Sequence, residues 1–179
     1  AGLLMAAIAP FIGIFLVLRR YSLIADTLSH VSLAGIALGF LFGVNPLATA
    51  LVSSVGSAIA MERLRTTKRA YGDTTLSLFL SGSLALAVVL LGLGHGLNAN
   101  LFSYLFGSIV TVTTGDLWTM FVLGLVVIGC LLFFYKEFIY ISFDEEAAKV
   151  SGLPVQRLNT FFLMLAAIAI TLSIPIIGI

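Results

Sequence analysis

Two side chains that can bind a metal ion or carry a proton lie close together in one apolar stretch of the sequence. Asp26 and His30 are four residues apart between Arg19 and Gly43, so on a helix they share one face and are one turn apart. A carboxylate at membrane depth costs roughly 2.5 to 3.5 kcal/mol on insertion scales, and such residues usually face a bundle interior or a water-filled path. The pair is therefore the first candidate functional site.

The chemistry of this pair has two interpretations. An imidazole nitrogen and a carboxylate oxygen are ligands that zinc, manganese and ferrous iron accept, and two ligands from one helix leave positions for other helices or water. In the alternative, Asp26 only caps the helix or forms an ion pair near its end, while His30 hydrogen-bonds to a neighbour. At 1.5 Å per residue, His30 lies ~15 Å along the axis from Arg20, about half of a ~30 Å hydrocarbon core. This depth favours the metal site.

The second histidine and the missing catalytic motifs argue against other chemistries. His95 lies among glycines in an expected outer loop, where it is either an exposed loop histidine or a contact for a metal ion at the outer mouth. Haem would need a second histidine at matched depth on a facing helix, so haem binding is not expected. The sequence contains no phosphate-binding glycine loop, metalloprotease spacing or nucleophile elbow. We therefore predict no catalytic residues and no enzymatic activity.

The composition is that of an integral membrane protein. Of the 179 residues, 60% are hydrophobic and 9% charged, with a mean hydropathy of +1.18, whereas soluble proteins average about 25% charged. The sequence predicts an all-α fold, a polytopic transmembrane helix bundle in a lipid bilayer. About six spans are expected, at residues 2–18, 19–43, 47–61, 74–93, 117–135 and 160–179. The apolar residues 101–112 are too few for a crossing and predict a short re-entrant or interfacial outer helix.

The basic residues predict the orientation of the bundle. All nine fall into three clusters, which the positive-inside rule places on the cytoplasmic side. The clusters are Arg19 and Arg20; Arg63, Arg65, Lys68 and Arg69; and Lys136, Lys149 and Arg157. Because topology explains these clusters, no nucleic-acid partner is expected. Residues 1–179 are expected to form a single transmembrane domain that is truncated at both ends, since both ends lie in apolar runs.

Two further patterns concern packing and docking. Gly35, Gly39 and Gly43 repeat every four residues, roughly opposite Asp26 and His30 on the helix, and small residues at this spacing predict close packing against another helix. In the longest polar stretch, acidic residues followed by Ala-Ala at 147–148 fit the first turn of a short helix, and Gly152 fits its end. That helix either docks into a partner's groove or is a solvated loop helix, and its chemistry alone favours neither.

The chain resembles a known family, the membrane permease subunits of bacterial zinc and manganese ABC importers. The resemblance covers essentially all of the sequence. It is strongest at residues 19–30, which read Arg-Arg-Tyr-Ser-Leu-Ile-Ala-Asp-Thr-Leu-Ser-His, and it extends to Asp73-Thr74-Thr75-Leu76 and Tyr104-Leu105-Phe106-Gly107. The residues Glu146, Ala147, Ala148 and Gly152 look like the loop through which such permeases couple to their ATPase.

The resemblance implies a multi-pass protein of the bacterial plasma membrane with several partners. These are a second permease copy, a cytoplasmic ATP-binding subunit that hydrolyses the ATP, and an extracytoplasmic metal-binding protein. No cofactor is expected to be permanently bound, and Asp26 and His30 match the positions proposed to coordinate the transported ion. The zinc branch tends to read as residues 26–33 do here, whereas the manganese and iron branch commonly has a proline where this chain has Ala34. Zinc is therefore favoured, with manganese or iron as alternatives.

Two other function classes are kept open. An ion- or proton-coupled secondary transporter or channel could use Asp26 and His30 as a relay, and it would work without an ATPase partner. A membrane scaffold without a transport role would be unaffected by changes at either residue. Loss of metal uptake on Glu146→Arg in an assembled complex would favour the ATP-driven importer over both.

Overall fold

The described part of the chain is helical. The computed structural model describes residues 2–19, 21–66, 72–93, 106–107 and 113–178, and no strand occurs among them. The helices are α1 (Gly2–Leu18), α2 (Ser22–Phe42), α3 (Pro46–Thr66), α4 (Gly72–Leu93), α5 (Thr114–Phe133), α6 (Tyr135–Phe143), α7 (Glu145–Val150) and α8 (Val155–Ile177). The predicted all-α class is confirmed.

Five of these helices are long and apolar enough to cross a membrane. They are α2, α3, α4, α5 and α8, each with 20 to 23 residues in its apolar span. Helix α1 is a shorter apolar helix that contains Pro10 and ends one residue before Arg19. The polytopic helix bundle is thus confirmed, with five long helices and a shorter one at the predicted positions of the six spans.

Two helix boundaries differ from the prediction by five residues and one additional helix is present, because local contacts stabilise helical structure in the polar segments. Helix α3 continues past residue 61 to Thr66, where Glu62 and Arg65 pair across one turn of the helix. Helix α8 begins at Val155 rather than at residue 160. Helix α6 was not predicted at all, and it forms because Phe138 is buried in the main core. The stretch that looked polar is therefore mostly helical.

The packing places α2 at the centre of the bundle. Its main neighbours are α3 and α4, and α3 in turn packs against α8. At Gly35, an added Cβ would lie 2.7 Å from the Cα of Ala50. At Gly39, it would lie 2.6 Å from the Cα of Pro46. Both values are shorter than any ordinary van der Waals contact, so α2 and α3 approach as closely as they do because these positions lack side chains.

Gly43 has a different role from the two glycines before it. It follows the last residue of α2, with φ of 65°, and its amide donates to the carbonyl of Phe40. A Cβ there would meet no atom within 4 Å among the described residues. The expected packing contact therefore does not extend to Gly43, which instead ends the helix in the left-handed conformation that glycine adopts without strain.

Three buried hydroxyl groups connect the central helices away from the helix ends. The Oγ of Ser32 on α2 lies 2.8 Å from the Oγ1 of Thr171 on α8. The Oγ of Ser54 on α3 lies 2.7 Å from the same Thr171 atom. We call Ser32, Ser54 and Thr171 the hydroxyl cluster. Because all three side chains are buried, their hydrogen bonds hold α2, α3 and α8 in one register at this depth.

Candidate functional site

The second and third turns of α2 carry Asp26 and His30. The helix begins directly after Tyr21, whose amide donates to the carbonyl of Leu16 at 2.7 Å. The neighbouring hydroxyls of Thr27 and Ser29 donate back to carbonyls of their own helix. Because each of these hydroxyls hydrogen-bonds within α2, neither is used to bind the carboxylate of Asp26 or the imidazole of His30.

The two candidate ligands lie side by side on one face of α2. The Nε2 of His30 is 3.6 Å from the Oδ1 of Asp26, and the exposed side-chain fractions are 24% and 59%, respectively. This distance is too long for a hydrogen bond. Two ligands at zinc distances of about 2.1 Å in tetrahedral geometry would be about 3.4 Å apart. Movement of a few tenths of an ångström would therefore let both atoms contact one ion.

The described residues would supply only part of a metal coordination sphere. No group of three His, Cys, Asp or Glu side chains that could hold a metal ion occurs among them. The Nδ1 of His30 is buried and has no hydrogen-bond partner in the described part of the chain, although a ligating histidine usually donates its second ring N–H to a fixed acceptor. Further ligands would have to come from water, from another subunit or from other parts of the protein.

The predicted docking segment is a short helix with a defined start and end. In α7, the carboxylate of Asp144 accepts from the amide of Ala147 at 2.9 Å, which caps the first turn. Ala148 is fully buried, whereas Glu146 is exposed. Gly152 follows the helix with φ of 84°. One side of α7 thus anchors the helix to the bundle, and the other presents an acidic side chain to the surroundings.

The remaining sequence-predicted sites lie mostly outside the described residues. His95 falls in the segment 94–100, for which the structure gives no description. Of the expected outer helix at 101–112, only Phe106 and Gly107 are described. Gly107 has φ of 71°, and an added Cβ would lie 2.6 Å from the carbonyl oxygen of Ile176. The glycine in the Tyr-Leu-Phe-Gly motif is therefore needed for close contact with the end of α8.

Sequence reasoning missed the role of Arg19, which it treated only as a marker of topology. Its guanidinium donates to the Oγ of Ser142 at 2.9 Å, to the Oδ1 of Asn159 at 2.8 Å and to the carbonyl of Phe138 at 3.2 Å. Burial is the main cause that lowers its pKa from the usual value. The signal that was available in the sequence is Asn159, a polar residue that becomes buried inside α8.

A second polar group lies next to Arg19. Both lie at the end of the bundle that carries Arg19, Arg65 and Arg157, which we call the basic end. The buried carboxylate of Glu62 accepts two hydrogen bonds from Arg65, at 2.9 and 3.0 Å. The guanidinium of Arg65 also lies 4.9 Å from the ring centroid of Tyr21. Burial raises the pKa of Tyr21 to about 12. The start of α2 is thus held by α3 as well as by α1.

Comparison with known proteins places the chain among membrane transport proteins. Residues 1–179 match the ABC 3 transport family. The chain is 37% identical to a probable metal transport system membrane protein of Treponema pallidum (strain Nichols) over 179 residues, which are 100% of the chain and 67% of that relative. It is 30% identical over 177 residues to the high-affinity zinc uptake system membrane protein ZnuB of Haemophilus influenzae, covering 99% of the chain and 68% of that relative.

The same comparison extends to a manganese transport protein and to a solved structure. Over 172 residues the chain is 29% identical to the manganese transport system membrane protein MntC of Listeria monocytogenes, covering 96% of the chain and 61% of MntC. The structure of PsaBC from Streptococcus pneumoniae in complex with Fab superposes with a TM-score of 0.82 at 28% identity, over 98% of this chain and 63% of that one. The chain therefore spans about two thirds of the length of these relatives.

Proposed function

The chain belongs to the ABC 3 transport family, and from this premise we propose that it is the membrane permease subunit of an ATP-driven importer of a divalent transition metal in the bacterial plasma membrane. The observation that carries the proposal is the separation of 3.6 Å between Asp26 Oδ1 and His30 Nε2 on one face of a membrane helix. Family membership supports a transport role, and this ligand pair supports a metal ion as the transported species.

Binding by two protein ligands suits transport better than storage. Closed sites with four protein ligands are typical of structural zinc, whereas sites with fewer protein ligands keep positions open for exchange. Asp26 is more than half exposed, so an ion bound there would keep water among its ligands. In the proposed cycle, Asp26 and His30 hold the ion transiently, and closure of ATP-bound partner subunits switches access from the outer to the inner side.

We propose zinc as the ion, with manganese or iron as alternatives. The support is the sequence pattern of residues 26–33 and the presence of Ala34 before Gly35. The relatives do not favour one ion, because their names divide between zinc for ZnuB and manganese for MntC. A histidine and a carboxylate serve either ion, and selectivity in such sites often depends on geometry and supply.

The proposed partners are assigned to the two ends of the bundle. A cytoplasmic ATP-binding subunit would dock at the basic end against α7, where Glu146 is exposed and Ala148 anchors the helix. An extracytoplasmic metal-binding protein would deliver the ion at the opposite end, where His95 is the proposed outer contact. A second copy of the permease would complete the pathway. ATP hydrolysis would take place in the partner subunit, and this chain itself would hold no permanent cofactor.

The test compares metal retention by the full-length permease in complex with its ATPase. The complex is equilibrated with equal zinc and manganese, and the bound metal is measured by mass spectrometry for the wild type and for the double variant Asp26→Asn/His30→Ala. Ser29→Ala is the matched control, because it removes a neighbouring polar group on α2 that bonds only to its own helix.

Each outcome bears on a different part of the proposal. We expect zinc in the wild type and in Ser29→Ala, and a loss of at least tenfold in the assembled double variant. Manganese retained in place of zinc would keep the site and overturn the choice of ion. Equal metal in all three proteins would exclude Asp26 and His30 as essential ligands. ATP-independent uptake by the permease alone would instead favour a secondary transporter or channel.

A further inference from the structure

Arg19 lies where the apolar helix α1 ends and the helix with the candidate ligands begins. Its amide donates to the carbonyl of Phe15, and two residues later the amide of Tyr21 donates to Leu16. The connection between α1 and α2 is therefore short and hydrogen-bonded to α1. Asp26 follows Arg19 by only seven residues, so a displacement of Arg19 would be felt at the start of α2.

The side chain of Arg19 leaves this connection and reaches two elements that are distant in the sequence. It donates to Ser142 and to the carbonyl of Phe138, both on α6, and to Asn159 on α8. The guanidinium also lies 4.7 Å from the ring centroid of Phe162. All three kinds of guanidinium nitrogen, Nε, Nη1 and Nη2, donate to a separate acceptor. The planar guanidinium thus fixes how far α6 and α8 lie from the connection between α1 and α2.

The acceptors of Arg19 lead directly to the proposed docking helix. Ser142 is two residues before Asp144, the residue that caps α7. The Ser142 hydroxyl also donates to the carbonyl of Phe138 at 2.6 Å, so it is fixed in its orientation. A continuous series of contacts therefore runs from α7 through Asp144 and Ser142 to Arg19, and from there along the chain to α2.

The acceptors of Arg19 indicate that the geometry of its hydrogen bonds matters more than its charge at this position. No side-chain carboxylate accepts a hydrogen bond from Arg19 among the described residues; its acceptors there are a hydroxyl, an amide oxygen and a backbone carbonyl. Burying a cation without a hydrogen-bonded carboxylate is costly, and its retention requires well-placed acceptors. A cavity of about 190 Å³ lies beside this group, lined in part by Arg19, Tyr21, Arg65 and Glu145. The cavity leaves room for α6 to shift relative to α3.

We propose that Arg19 is a positioning residue that transmits movement of α6 and α7 to the start of α2 and hence to Asp26 and His30. This proposal rests on the proposed function, since it assigns a residue to the coupling between ATP hydrolysis and metal movement. Arg19 itself does not contact the ion. It determines how far the ligand pair moves when α7 is displaced.

The test measures the coupling ratio, meaning metal ions imported per ATP hydrolysed. The full-length permease in complex with its ATPase is reconstituted in liposomes, and the wild type is compared with Arg19→Lys and Ser142→Ala. Lysine keeps the charge and loses the three-way geometry, while Ser142→Ala removes one acceptor with little change in volume. Arg157→Lys is the matched control, because Arg157 is exposed at the basic end.

We expect the coupling ratio to fall on the order of fivefold in Arg19→Lys and less in Ser142→Ala, with Arg157→Lys unchanged. Metal bound by the resting complexes should be equal in all four proteins, because Asp26 and His30 are intact. The double variant Arg19→Lys/Ser142→Ala should lose no more than Arg19→Lys alone, since both changes interrupt one path. A purely structural role would lower ATP hydrolysis and import in proportion and leave the ratio unchanged.

Three outcomes would overturn the proposal or its premise, and they are distinguishable. An unchanged ratio in Arg19→Lys and Ser142→Ala would overturn the role of Arg19 alone. Losses that multiply in the double variant would show that the two residues act on separate paths and would also overturn it. A wild-type complex that neither binds metal nor imports it would overturn the proposed function instead. If Arg19→Lys does not assemble, Ser142→Ala and its coupling ratio decide the question.

Discussion

The hydroxyl of Thr171 on α8 lies 2.8 Å from the hydroxyl of Ser32 on α2, in the buried centre of the bundle. Ser32 is two residues after His30, and Thr171 also bonds to Ser54 on α3. The helix that carries the candidate ligands is therefore held at two levels. The hydroxyl cluster fixes it in the interior, and Arg19 fixes its start at the basic end.

The first prediction concerns this cluster. Thr171→Val keeps the shape of the side chain and leaves the hydroxyls of Ser32 and Ser54 without their shared partner. Hydrogen bonds between membrane helices are worth about 0.6 kcal/mol on average and up to about 1.7 kcal/mol, so we expect a loss of about 1–2 kcal/mol in unfolding free energy. Thr119→Val is the control, because the Thr119 hydroxyl is exposed and bonds only to its own helix. Equal denaturation midpoints for the two variants in detergent would contradict the prediction.

The second prediction concerns the close contact between α2 and α3. In Gly35→Ala, the added Cβ would clash with the backbone of Ala50 and with the hydroxyl of Ser53, and forced overpacking typically costs about 1–3 kcal/mol. Gly56→Ala is the control on α3, because an added Cβ there would meet no atom of the described residues within 4 Å. We expect thermal unfolding to occur at a lower temperature in Gly35→Ala only. A similar decrease of the unfolding temperature in both variants would mean that these glycines contribute to stability for reasons other than close packing.

The third prediction separates backbone strain from steric contact at two glycines. Gly107 and Gly152 both have positive φ, of 71° and 84°, but only Gly107 faces backbone atoms within 3 Å of an added Cβ. Alanine at Gly152 should cost about 1–2 kcal/mol from the left-handed conformation alone. Alanine at Gly107 should cost more, because it must also displace the end of α8 at Ile176. Chemical unfolding of the two variants measures the loss of unfolding free energy, which should be larger in Gly107→Ala than in Gly152→Ala.

The fourth prediction concerns the proposed docking surface on α7. Glu146→Arg reverses an exposed charge without touching the buried anchor Ala148. In an assembled complex we expect ATP-driven metal uptake to fall at least tenfold, while metal bound at Asp26 and His30 is unchanged. Gln156→Arg introduces the same charge at another exposed position of the basic end and should leave uptake close to that of the wild type. Normal uptake by Glu146→Arg would exclude α7 as the coupling element.

Local patterns were enough to predict the apolar helices and the geometry of the candidate ligands. Residues four apart on a helix lie on one face whatever the rest of the chain does, and for this reason Asp26 and His30 are neighbours in the structure as expected. The short helix α7 was predicted for a similar reason, since its cap and its terminal glycine are encoded within nine residues. At Gly43 a Cβ would meet no atom within 4 Å among the described residues, and the spacing of glycines does not show where the neighbouring helix begins.

The helical class, the membrane spans and the proximity of Asp26 to His30 could be predicted in advance, because each depends on composition or on neighbours within one helical turn. Only the tertiary structure brought Arg19 to Ser142 and Asn159, over separations of 123 and 140 residues, and Thr171 to Ser32, over 139 residues. Those contacts depend on the angles and depths at which whole helices cross, which are set by the summed packing of many side chains. No local pattern encodes that sum.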